Sequence, residues 1–213
     1  MRGLSDVAGF KDFVDGVPLF ASELDGYLMR QTAMRFSTTT ALINALPVGI
    51  RETGMLAWAD STGIQYMFDG TNWIPWFSPE KTFSPIFTAG GSNITVGNSI
   101  VNSWWRYSGG FVAWNFRFVI GSTANLGVGS YALSMPISAR TEHDHHYIGQ
   151  MTYWDTSAST TYHRACATVG TTTSFAMVDS NGTLMGAAAP VAWANNDQFG
   201  MSIRYLPSTG VYL

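Results

Sequence analysis

Cysteine is nearly absent: Cys166 stands alone among 213 residues. That excludes an intrachain disulfide framework and any zinc site built from several cysteines. Charge is scarce too, at 12% of residues, about half the usual share of roughly 25%. Eleven Lys and Arg against fourteen acids leave a net charge of only -3. A nucleic-acid binder working through electrostatics needs a basic stripe or patch, so none is expected. No apolar run approaches the ~20 residues that span a bilayer as a helix, so membrane insertion by a helix is not expected. The opening MRGLSDVAGFKDFVDG lacks the apolar core of a Sec signal peptide, and none is expected.

Aromatic side chains, by contrast, are plentiful: 13 Phe, 9 Tyr and 8 Trp, which argues against disorder. The surface of such a weakly charged chain must be wetted by Ser, Thr, Asn and Gly. A monomer of this composition would expose large apolar patches, and burial between subunits is the simplest escape. An oligomer is the expectation.

Residues 1–20 carry Gly3, Gly9, Gly16 and Pro18 between short apolar clusters and read as an arm. Ser22 and Asp25 resemble a capping box. Beyond them Leu24, Tyr27, Leu28, Gln31 and Met34 recur at spacings of three and four and predict one face of a helix. That helix packs either on its own domain or in a bundle around a symmetry axis, with Gln31 as a polar layer. Thr40 is expected to cap a second turn, from Ala41 to Leu46, stopped by Pro47. Residues 54–77 predict a small meander: Met55 to Ala59, Ile64 to Phe68 and Trp73 to Phe77, joined by turns at Asp60–Gly63 and Asp69–Asn72. A linker from Ser78 to Lys81 closes an N-terminal region of residues 1–81.

From 82 to 213 the pattern is all β. Trp114, Phe116, Phe118 and Ile120 alternate with Ala113, Asn115, Arg117 and Val119, and Phe199, Met201, Ile203 and Tyr205 with Gly200, Ser202 and Arg204. Further strands are expected at 94–96, 100–107, 130–135, 147–153, 162–169, 173–178 and 210–213. Short strands at this spacing indicate an antiparallel, jelly-roll-like β-sandwich.

No nucleophile elbow, phosphate loop, HExxH or dinucleotide fingerprint is present. No cofactor is expected, and no catalytic residue is assigned. Cys166 reads as a packed thiol in a strand, with His163 on the opposite face. His143 and His145 would point the same way on an extended strand. Three such pairs about a threefold axis could supply six imidazoles to a transition metal. The same cluster, 142–146, also reads as a solvent loop.

The stretch from Phe13 to Gln31 (FVDGVPLFASELDGYLMRQ) resembles the N-terminal segment of minor tail proteins of tailed bacteriophages, most of all those infecting actinobacteria. Residues 47–60 (PVGIRETGMLAWAD) and 66–73 (YMFDGTNW) are similar to their strand, turn and DGT-x-W pattern. Val96–Asn98, Tyr107–Gly110, 121–127 (GSTANLG) and 130–136 (SYALSMP) resemble a β-domain at the C-terminus of such fibres. The likeness spans residues 13–136.

It implies a homotrimeric virion protein, held to other virion proteins by its N-terminal arm, whose distal domain binds host-surface glycan. Low charge suits neutral glycans, met by aromatic stacking and by hydroxyl and amide contacts. Tyr153, Trp154, Tyr162 and Trp193, each near Ser, Thr or Asn, are the candidate ring contacts. Trp104 and Trp105 are adjacent, so on a strand one is core while the other meets a neighbour or ligand. A capsid decoration protein or head fibre of the same design is the second reading, and a glycan depolymerase the third.

Overall fold

Asp69 shapes a local turn in the N-terminal region. Its Oδ1 accepts hydrogen bonds from the N–H groups of Thr71 (2.8 Å) and Asn72 (2.7 Å), an Asx turn of the kind Asp favours. The computed structural model of the protein describes residues 33–140, 147–167, 173–178, 184–186 and 192–213. The chain is mainly β and divides into two compact units. One ends at Ser78 and takes in Tyr212 and Leu213, and the other runs from Pro79 to Val211.

In the first unit, β1 (Met34–Phe36) pairs parallel with β2 (Leu56–Ala59), and β2, β3 (Ile64–Phe68) and β4 (Trp73–Phe77) form the antiparallel meander. Parallel neighbours need a crossover. Helix α1 (Thr39–Ala45) lies in that connection and buries Leu42. Alternation in β3 buries Ile64, Tyr66 and Phe68 on one face, as the sequence pattern predicts.

Two helix expectations need correction. The three- and four-residue spacing puts Met34 on a helical face, yet it is the first residue of β1, opposite Ala57. Period-two geometry wins here because it satisfies the free edge of β2 and turns Arg35 outward, where its Nε donates to Asp60 Oδ1 at 2.9 Å. Leu24, Tyr27, Leu28 and Gln31 lie outside the described residues. The second helix is capped by Thr38 instead of Thr40: the Thr38 side chain accepts from Ala41 N–H at 3.0 Å.

In the second unit, β5 (Lys81–Thr82) pairs with β8 (Ile100–Ser108). The remaining strands are β6 (Phe87–Ala89), β7 (Ser92–Asn93), β9 (Phe111–Val119), β10 (Tyr131–Ser134), β11 (Tyr147–Asp155), β12 (Thr160–Ala167), β13 (Ser174–Val178) and β14 (Gln198–Tyr205). Their hydrogen-bonded order is β8-β9-β14-β11-β12-β13-β10-β6-β7. The last strand in sequence thus sits in the middle, between β9 and β11. Residues 210–213, expected as a strand, instead hold a short 3-10 turn at Thr209–Val211. Leu213 then exchanges backbone hydrogen bonds with Trp73 at 3.0 and 3.1 Å. Residues 94–96 contribute only a single bridge, from Thr95 to Asn125.

The sheet turns back on itself. Phe87 of β6 meets Phe118 of β9 and Phe199 of β14 edge-on, at 5.6 and 5.7 Å between ring centres, and Tyr131 of β10 at 5.1 Å. Edge-to-face rings at these distances gain about 0.5–1.5 kcal/mol beyond area burial. Trp114 is fully buried beneath β8, and its indole N–H donates to Ser103 Oγ at 2.8 Å. Phe87→Ala should cost about 3–5 kcal/mol of unfolding free energy in urea. A loss below about 1 kcal/mol would show that the ring does not hold the two halves of the sheet together.

Candidate functional site

The four ring candidates do not form one surface. Tyr153 is fully buried, a correction to its expected exposure. It follows Met151 on the inward face of β11, where both side chains lose their water. Tyr162 is half-buried and stacks on Tyr153 at 5.7 Å with planes 16° apart. Trp193 packs on Tyr153 at 4.5 Å and Phe199 at 5.3 Å, and its indole N–H donates to Gly186 O at 2.9 Å. Only Trp154 stands out to solvent, 48% exposed. His143 and His145 lie outside the described residues. Among the described residues, no three His, Cys, Asp or Glu side chains come together as a metal would need.

Asp197 organises this end of the unit. It is fully buried. Its Oδ2 accepts from the Tyr153 hydroxyl at 2.9 Å and from Ala194 N–H at 2.7 Å, and Oδ1 from Thr156 N–H at 2.9 Å. Its backbone carbonyl accepts from Ile120 N–H at 2.9 Å. Burial, then the bond to Asp197, pushes the Tyr153 phenol far above its ordinary range. Asp155 faces a different task. Its Oδ1 accepts from Ala158 N–H at 2.9 Å and the Ser157 hydroxyl at 2.7 Å. The Ala158 bond, ahead of the Ser157 one, holds its carboxyl below the usual range. Both carboxylates are committed to shaping loops.

A clamp joins Asn98 to Thr123 across 25 residues of chain. Asn98 Oδ1 accepts from Thr123 N–H (3.0 Å) and hydroxyl (2.9 Å), and Thr123 Oγ1 accepts from Asn98 N–H (2.9 Å). Gly97, at φ +59°, sits so close that a Cβ would fall 2.5 Å from Thr123 O. Nearby, Tyr131 and Trp193 line a hollow of about 470 Å³. Burial raises the Tyr131 phenol to about 12, and its hydroxyl has no hydrogen-bond partner among the described residues.

The outward face of the sheet is different in kind. Register aligns Trp104, Asn115, Ser202 and Gln150 in one row. Asn102, Arg117, Gly200, Thr152 and His163 form the next, then Ile100, Val119, Gln198, Trp154 and Thr161. Trp104 is 37% exposed and Trp105 only 8%, the one-in, one-out arrangement that adjacency on a strand dictates. The sequence pattern sets Trp104 and Trp105 on opposite faces without saying which is outward, and it places Gly200 in the strand expected from Phe199 to Tyr205 without giving it a role. The missed signal was a glycine at a strand-interior position where Ser or Thr would serve better. Arg117 Nη2 donates to Gln198 Oε1 at 2.9 Å. Comparison with family models, curated proteins and solved structures finds no match.

Two variants test the buried carboxylates. Asp197→Ala should destabilise by about 2–4 kcal/mol, since it strands buried donors, whereas a change under about 1 kcal/mol in urea would remove Asp197 from its organising role. Asp155 has a depressed folded-state pKa, so the stability it supplies is present above pH ~4 and is lost as pH falls through the lower folded value. Asp155→Asn should therefore flatten the acid limb of a stability–pH curve, and an unchanged limb would contradict this.

Proposed function

We propose that the protein is a structural component of a tailed-bacteriophage virion, a trimeric tail fibre or receptor-binding protein. Its N-terminal arm anchors it to other virion proteins, and its C-terminal unit, a jelly-roll-like sandwich, binds host-surface glycan without turning it over. The resemblance over residues 13–136 supports the virion assignment. The observation that carries the binding role is the outward face of β8, β9, β14 and β11. Two exposed indoles, Trp104 and Trp154, stand there among amides, hydroxyls and three arginines, Arg106, Arg117 and Arg204. Rings of this kind cover the apolar faces of sugars, and short polar side chains meet sugar hydroxyls without the desolvation cost of a bare charge.

Exposed apolar side chains in the first unit support self-association: Ile43, Val48 and Ile50 are 37%, 79% and 42% exposed. Trimeric display would raise the avidity of weak sites by as much as ~10²–10⁴ where several engage at once. Light scattering should give three chains per particle, and the trimer should adsorb to host cells. Trp154→Ala should cut adsorption severalfold with an unchanged melting temperature. A stable monomer overturns the trimer. A trimer found on the capsid and blind to host cells favours the decoration reading, and release of reducing sugar favours the depolymerase.

A further inference from the structure

Gly200 sits mid-strand in β14, opposite Arg117 of β9 on one side and Thr152 of β11 on the other. A glycine in a strand interior weakens the strand, and where it persists it commonly marks a bulge or a close approach by something else. Register here is continuous on both sides, so no bulge accounts for it. Nor is its φ in the left-handed region, where glycine is favoured. The fold's own packing does not require it either: a Cβ at Gly200 would meet nothing nearer than Phe116 O at 3.8 Å. Gly149 is the opposite case, since a Cβ there would fall 2.3 Å from Ser202 O. Gly149 serves the fold, whereas the space over Gly200 is left open.

That space floors a groove of about 540 Å³, walled by Trp104 and rimmed by Asn102, Asn115 and Arg117. The Asn102 and Asn115 side chains have no hydrogen-bond partner among the described residues. Arg117 is steadied by Gln198 and keeps further N–H groups to donate. Among the described residues that line the groove there is no carboxylate.

We propose that this groove is a sugar subsite in which one pyranose of an uncharged oligosaccharide stacks on Trp104 and rests on the bare backbone of Gly200. Its hydroxyls are met by Asn102, Asn115 and Arg117. The inference rests on the glycan-binding reading above and names the site for it. Glycine at 200 admits the ring to contact distance with the strand, and any larger side chain fills the seat.

The test uses the full-length protein on an array of immobilised neutral oligosaccharides (gluco-, galacto-, manno- and N-acetylglucosamine series) beside uronic-acid oligosaccharides. Wild type should bind one or more neutral series. Gly200→Thr should keep the trimer, hold or raise the melting temperature, and weaken binding at least tenfold. Trp104→Ala should weaken it comparably without unfolding the chain. Binding that survives Gly200→Thr and Trp104→Ala but is lost in Trp154→Ala leaves the glycan reading standing and overturns this site. A lowered melting temperature in Gly200→Thr shows the glycine serving the fold, and a lost trimer shows another subunit seated over it. Either result overturns the proposal, as does binding confined to uronic acids. A wild type that binds no oligosaccharide overturns both the subsite and the glycan reading.

Discussion

The second unit depends on one fully buried carboxylate, that of Asp197. Asp197 gathers the Tyr153 hydroxyl and the N–H groups of Thr156 and Ala194, while its backbone carbonyl holds Ile120. It thereby joins the end of β11, the loop entering β14 and the residue that follows β9. A buried carboxylate is costly unless its lone pairs are satisfied, and here donors from separate segments satisfy them together. Geometry at this point decides where β14 begins. β14 lies between β9 and β11, so its register sets which of its residues face outward. A slip of one residue would put Phe199 or Met201 in the groove and bury Gly200.

Composition connects to function through the same sheet. With charge so scarce, the inner face is sealed with rings: Trp114, Phe116, Phe118, Phe199 and Tyr205 are all buried. Phe87 closes that layer from the returning strand β6. The outer face is left mainly to Asn, Ser, Thr, Gln and three arginines, Arg106, Arg117 and Arg204, with Trp104 and Trp154 as its exposed indoles. Alternation along each strand thus separates a dry stack of rings from a polar surface that carries two exposed indoles. The sugar-binding role proposed here draws on the outer set alone.

Much of this was legible in the sequence because it is local. Strict alternation from Ala113 to Ile120 and from Phe199 to Tyr205 marked β9 and β14, and Asp69–Asn72 marked its turn. Tyr153 and Trp154 both read as exposed rings, although adjacent residues of one strand must face opposite ways. Their phase was written in Met151 and Thr152, which place the apolar partner of Tyr153 inward. The rest was hidden because it is non-local. No pattern in β14 says that the last strand enters between β9 and β11, and none in Met34–Phe36 says that it pairs parallel with β2. Trp193 shows the same limit: its neighbours Tyr131, Tyr153 and Phe199 come from three different strands.

The central claim is that the outward face beside Gly200 receives a sugar, with Trp104 as its platform. Indole N–H resonances, followed by NMR while a neutral oligosaccharide is titrated into the trimer, test it most directly. The account predicts that the Trp104 indole shifts progressively while the buried Trp73 and Trp114 indoles stay fixed. A shift at Trp193 with Trp104 unmoved would contradict it, moving the site to the hollow beside Tyr131, and no shift at any indole would contradict it outright.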